Sequence, residues 1–61
     1  MSRTMYETTY FSQDVNSGKI EEERICGNFT TNQLSELFPG KIIIISIVYN
    51  MSNNTIDNIY K

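Results

Sequence analysis

The stretch from Lys41 to Tyr49, KIIIISIVY, decides the fold of this chain. Its many β-branched residues favour a β-strand, and its apolar residues follow one another with a single break at Ser46. A strand buried on one face alternates apolar and polar residues, whereas a continuous apolar run is typical of a strand buried on both faces. We therefore expect a strand at 41–49 that needs cover on both sides.

The chain is short for a fold that must cover both faces of this strand. Its 61 residues make one domain at most, near the lower limit at which a lone core outweighs the entropy of the chain. Disulfides, a structural metal or oligomerisation usually help such domains. Cys26 is the single cysteine and there is no histidine, so the sequence excludes an intrachain disulfide and a Cys/His zinc site, and it predicts no cofactor. Homodimerisation is the remaining solution.

Two segments before this strand, 4–15 and 20–29, are predicted to form an antiparallel hairpin. Both are rich in residues that fit a pleated surface, and the turn formers at 16–19 separate them. The favoured register places Tyr10 opposite Ile25, because apolar side chains then face one another across the two strands.

A capping box formed by Thr30 and Gln33 predicts the start of a short helix. Leu34, Leu37 and Phe38 follow at i, i+3, i+4 spacing, so they are expected to pack together on one face of the sheet. A Pro-Gly pair then ends the helix.

The segment 55–61 suits a last helical turn, although a short edge strand is the alternative. The predicted fold class is α+β: a single domain, 1–61, built as a small ββαβ unit with a three-stranded antiparallel sheet and one short helix. Because the helix covers one sheet face only, we expect homodimerisation to complete the fold, by packing of sheet faces or by strand pairing. In the monomeric alternative, the C-terminal segment folds over the open face.

The charge pattern argues against several classes of partner. The net charge is −2, and the five basic residues are spread along the chain, so binding to nucleic acid is not expected. The apolar run is too short to cross a membrane as a helix, and no signal peptide opens the chain. The expected location is the cytoplasm.

No set of residues predicts catalysis. Cys26 lacks a histidine to activate it and is interpreted as a strand residue. Glu21 and Glu23 share a strand face, but nothing in the sequence completes an acid/base pair or a cation site with them. The chain is therefore predicted not to be an enzyme, with no catalytic, metal or cofactor-binding residues.

Acidic, aromatic and isoleucine side chains are the candidates for a protein interface, because aromatic residues are enriched at interfaces and one face of the isoleucine strand needs cover. The aromatic residues pack equally well in a core or at a homodimer contact. The candidate interface residues are Glu21, Glu23, Phe11, Ile43, Ile45, Ile47, Tyr49 and Tyr60.

In its whole-chain character, a tiny acidic ββαβ-like unit without a catalytic set, the protein resembles the small intracellular proteins by which bacteriophages disable host defences. These include anti-CRISPR proteins and inhibitors of the Hachiman system. The resemblance implies a non-enzymatic inhibitor that binds a host defence protein and blocks it by steric occupancy, often as a homodimer. It implies the cytoplasm of a bacterial host cell as the location, and it carries over no site residue.

Two other functions remain open from the sequence. A small dimeric nucleic-acid-binding regulator would bind DNA in a salt-sensitive way, but the scattered basic residues count against it. A structural or assembly subunit would form higher oligomers and copurify with particles.

Overall fold

The computed structural model describes residues 5–61, which form one four-stranded antiparallel sheet and one short helix. The α+β class is therefore confirmed. The strands lie in the order β2-β1-β3-β4, so the isoleucine strand β3 occupies a central position. The elements are β1 (Tyr6–Asp14), β2 (Ile20–Cys26), α1 (Thr31–Leu37), β3 (Lys41–Asn50) and β4 (Thr55–Tyr60).

The C-terminal segment is an edge strand, which was the alternative to the expected helical turn, so the sheet has four strands and the prediction of three was wrong. Thr55–Tyr60 pairs with β3 in an antiparallel ladder, which makes the order of elements ββαββ. The apolar residues Ile56 and Ile59 are spaced as on a helix, and this spacing suggested a helical turn. A bulge in the β3–β4 ladder brings both onto one strand face, opposite Tyr49 and Ile47. The β4 strand widens the sheet and leaves one of its faces uncovered.

The hairpin of β1 and β2 forms as predicted, but its register differs by two residues. Tyr10 lies opposite Glu23, and Thr8 lies opposite Ile25. A shift of two residues keeps every side chain on its expected face. The turn sets this register, because the backbone amide of Asp14 donates to the carbonyl of Lys19 at 2.9 Å.

The carboxylate of Asp14 organises the turn after β1. It accepts hydrogen bonds from the backbone amides of Asn16 at 2.8 Å and Ser17 at 3.0 Å. Gly18 adopts a φ of 74°, which its lack of a Cβ allows, and its amide donates to the Asp14 carbonyl. The hydrogen bonds from Ser17 and Asn16, with a smaller contribution from the charge of Lys41, lower the pKa of Asp14 below its ordinary value.

We expect this carboxylate to contribute to the acid sensitivity of the fold. Because its pKa is lower in the folded chain, its stabilising contribution is present above the unfolded pKa of about 3.9 and is lost as the pH falls through the folded value. In urea titrations from pH 6 to pH 2, Asp14→Asn should lose stability less steeply than the wild type below about pH 4. Equal slopes for the two proteins would contradict this role.

The helix begins at the predicted capping box. The amide of Thr30 donates to Gln33 Oε1 at 2.9 Å, and the amide of Gln33 donates to Thr30 Oγ1 at 3.2 Å. Leu34 is fully buried, but Leu37 is 53% exposed, so its predicted packing on the sheet was wrong. Phe38 lies just beyond the helix, and its ring stacks on Tyr10 at a centroid distance of 5.8 Å.

Two hydroxyl groups on the sheet fix the loop between β2 and α1. Thr8 Oγ1 donates to the carbonyl of Gly27 at 2.6 Å and accepts from the amide of Phe29 at 3.2 Å. Ser46 Oγ donates to the carbonyl of Phe29 at 2.6 Å. These directional contacts hold the chain against the sheet where it enters the helix.

The face of the sheet beneath the helix is lined largely by polar side chains. Among residues 5–61, the buried apolar side chains are only Tyr10, Leu34 and Val48. The sequence predicted that β3 needs cover on both faces. A single chain does not provide this cover, because Ile42 and Ile44 remain 54% and 43% exposed. The buried polar residues described on this face are Thr8, Ser12, Ser46 and Asn50, while Thr9 is buried on the opposite face.

Candidate functional site: the open face of the sheet

The face opposite the helix, called the open face here, carries most of the large apolar side chains of the strands. The strand registers place Phe11 of β1 beside Ile45 of β3, and Ile47 beside Ile59 of β4. Tyr49 lies beside Ile56 in the same way. The sheet is thus more apolar on its uncovered face than on the face that the helix covers, which is the reverse of the usual distribution.

A bulge in the β1–β3 ladder decides which isoleucines reach the open face. Phe11 lies opposite Ile45 and the next residue, Ser12, lies opposite Ile43, so Ile44 is the extra residue of β3. Strict alternation predicted Ile43 on the same face as Ile45. The bulge instead pairs Ile43 with the buried Ser12, on the helix side, and brings Ile42 to the open face opposite Gln13.

The structure divides the predicted interface residues between the two faces. Phe11, Ile45, Ile47 and Tyr49 come together on the open face, as expected for one surface. Tyr60 is paired with Ser46, on the helix side. The remaining candidates on that side are Ile43, Glu21 and Glu23, which lie opposite Ser12 or Tyr10.

Six apolar or aromatic side chains of β3 and β4 lie side by side on the open face, and we call them the β3–β4 patch. Four of its residues come from the central strand and two from the edge strand. Ile42, Ile56 and Ile59 are each more than half exposed, and the other three are partly buried. The patch consists of Ile42, Ile45, Ile47, Tyr49, Ile56 and Ile59.

The open face also contains a shallow groove of about 360 Å³. Its residues combine charge with aromatic and thioether side chains, and two of them, Ile47 and Tyr49, belong to the β3–β4 patch as well. The groove is lined by Glu7, Thr9, Phe11, Glu22, Arg24, Ile47, Tyr49, Met51 and Asn54.

The groove has an excess of negative charge, because Glu7 and Glu22 accompany a single guanidinium, that of Arg24. Arg24 and Glu22 approach to 4.0 Å, with side chains 67% and 51% exposed. A pair this exposed and this long contributes little to stability. The charged groups of the groove are therefore free to exchange their contacts for those of a binding partner.

The other chemical features of the described chain do not assemble a reactive site. Cys26 is exposed at the end of β2, opposite Glu7. Within residues 5–61, no group of three or more carboxylate or thiol side chains is placed to hold a metal ion. Glu21, one of the two carboxylates considered for acid/base chemistry, lies 3.8 Å from Lys41 Nζ. In the same part of the chain, no helix is long and apolar enough to cross a membrane.

Comparison with protein-family models, with curated proteins and with solved structures finds no match for this chain. The function is therefore inferred from the shape, polarity and charge of the protein surface.

Sequence reasoning missed several residues of the open face, for identifiable reasons. Ile56 and Ile59 were not assigned to a face because the β4 bulge hides their two-residue period. Ile42 was missed because the β3 bulge inverts the alternation before Ile45. The sequence could have indicated Arg24 and Glu22. Both alternate with Cys26 in the strand predicted within 20–29, so the three side chains were expected to share one face.

Proposed function

We propose that this chain is a non-enzymatic inhibitor that binds a protein through the open face and blocks it by steric occupancy, as a small homodimer. The observation that carries the proposal is the inverted polarity of the sheet. Thr8, Ser12 and Ser46 lie buried beneath the helix, while the isoleucines of the β3–β4 patch face outward. A large apolar surface exposed to water is typical of a protein–protein contact.

The composition of the groove supports a protein as the target. Arg24, Tyr49, Phe11 and Met51 are of the residue types that are enriched at protein interfaces. The excess of carboxylates favours a basic segment on the partner. A basic surface is also what an enzyme that handles nucleic acid presents, and occupying such a surface would block its substrate. The resemblance to phage anti-defence proteins suggests a bacterial anti-phage defence protein as the target.

The described residues favour this function over a nucleic-acid-binding regulator. Phosphate contacts require clustered cations, whereas the groove contains one guanidinium and two carboxylates. A groove of this charge would repel a nucleic-acid backbone.

Capture of the target with a matched pair of variants tests the proposed function. Tagged wild-type protein should retain a defence nuclease or helicase from a bacterial lysate and inhibit that enzyme after purification of both. Glu22→Lys reverses a charge in the groove and should weaken the complex at least about tenfold. Glu36→Lys makes the same change on the exposed surface of α1, away from the open face, and should bind as the wild type does.

Equal weakening by both variants would show that only the net charge matters, and it would contradict binding in the groove. Retention of a protein whose activity is unaffected would overturn inhibition.

A further inference from the structure

We infer that the β3–β4 patch is the homodimer contact: a second copy of this chain packs patch against patch, and the two grooves stay open on opposite flanks. This inference rests on the proposed function, because it assigns the two halves of one binding face to two partners. The charged wall of the groove, formed by Glu7, Glu22 and Arg24, takes the target. The patch, which includes Ile47 and Tyr49 from the opposite wall of the groove, takes the second copy.

The polarity of the two halves favours this division. All six residues of the patch present apolar or aromatic side chains, so they can be buried against one another without leaving a charge unpaired. The β1–β2 half carries Glu7, Glu22 and Arg24. Stacking the whole faces would take these charged groups out of water, at a cost that an exposed pair at 4.0 Å does not offset.

The size of the patch fits a small interface that dissociates on dilution. Ile42, Ile56 and Ile59 are about half exposed and the other three side chains are partly buried, so complete burial of all six removes roughly 450 Å² per copy, or about 900 Å² in total, which is the size of a weak specific contact. Because the patch lies at one edge of the sheet, a two-fold axis parallel to the strands superposes β3–β4 on the partner's β4–β3. The β1–β2 halves then project on opposite sides of the dimer.

Pairing of edge strands, the other route to a dimer, is disfavoured at both edges of the sheet. The β2 edge carries Glu21, Glu22 and Glu23 in succession, and antiparallel pairing of two such strands would bring carboxylates together. The β4 edge contains the bulge between Ile56 and Asn58, which interrupts a regular ladder. Face packing has neither obstacle.

The oligomeric state of the purified chain tests the inference. Sedimentation and light scattering of the wild type over a dilution series should give twice the chain mass of 7.1 kDa at high concentration, with dissociation on dilution. Ile59→Asp should raise the dissociation constant at least about a hundredfold, because the symmetry applies each change twice. Ile20→Asp is the matched control: Ile20 is on the open face and 59% exposed, but outside the patch, and its change should be less than about threefold.

A second variant distinguishes weaker dimerisation from loss of folding, in case Ile59→Asp does not fold. Ile59→Thr keeps a β-branched residue in β4 and removes part of the apolar surface, so circular dichroism should remain that of the wild type while dimerisation weakens by about tenfold. A wild type that keeps the mass of one chain at millimolar concentration would overturn the inference. Equal effects of Ile20→Asp and Ile59→Asp would also overturn it, since the contact would then extend over the whole face.

The same variants separate this inference from the proposed function. A monomeric wild type that still captures its target through Glu22 would refute the dimer and leave inhibition standing. A dimer that depends on Ile59, without any target that responds to Glu22→Lys, would refute inhibition and leave the dimer standing.

Discussion

Leu34→Ala should lower the free energy of unfolding by about 3 kcal/mol, which is a large part of the stability of a domain of this size. Leu34 is the one helical side chain buried completely, and the only other buried apolar side chains among residues 5–61 are Val48 and Tyr10. Few neighbouring apolar side chains are therefore available to refill the space that the substitution leaves. Without Leu34, the seven-residue helix is too short to remain folded by itself.

Urea denaturation measures this loss, at one fixed protein concentration because association adds to apparent stability. Leu37→Ala provides the control, since it removes the same atoms from a side chain that is 53% exposed, and it should change stability by less than about 0.5 kcal/mol. Similar losses for the two variants would mean that the helix is not anchored through Leu34.

Thr8→Val should lower the free energy of unfolding by about 2 kcal/mol, although it preserves the shape and the β-propensity of the side chain. Thr8 is completely buried, and its hydroxyl bonds both the carbonyl of Gly27 and the amide of Phe29. A methyl group in its place leaves two buried backbone groups without these partners. The amide of Gly27 also donates to the carbonyl of Tyr6 at 2.8 Å, which holds Gly27 beside β1.

The neighbouring threonine provides the control for this variant. Thr9 has 9% of its surface exposed and lies on the open face, so Thr9→Val leaves the loop contacts intact and should change stability by less than about 0.5 kcal/mol. Thermal or urea unfolding of both variants distinguishes the hydroxyl contact from a general effect of losing a polar group. A neutral Thr8→Val would show that solvent replaces the loop contacts without cost.

The parts of the fold that short-range chemistry controls could be predicted from the sequence. The capping box at Thr30 and Gln33 is local, and the isoleucine run identifies β3 by composition alone. The sequence also indicated that β3 has too little cover inside one chain. In the structure, the apolar side chains of β3 on the open face are not covered by any other element of residues 5–61.

The features that were predicted wrongly depend on pairing between distant residues. The hairpin register follows from the hydrogen bonds of the Asp14 turn, which outweigh the apolar match of Tyr10 with Ile25. The two bulges change which residues share a face, and a bulge has no reliable signature in a single sequence. Four of the eight candidate interface residues therefore lie together on the open face. The other four, Ile43, Tyr60, Glu21 and Glu23, lie on the helix side.

The scarcity of buried apolar side chains also has a calorimetric consequence. Heat capacity rises on unfolding because apolar surface becomes hydrated, by about 12–15 cal/mol/K per residue in ordinary domains. Within residues 5–61, the isolated chain buries only Tyr10, Leu34 and Val48 among its large apolar side chains, so its increment should fall below that range. Its stability should then vary little between cold and warm temperatures, with a broad melting transition in place of a sharp one.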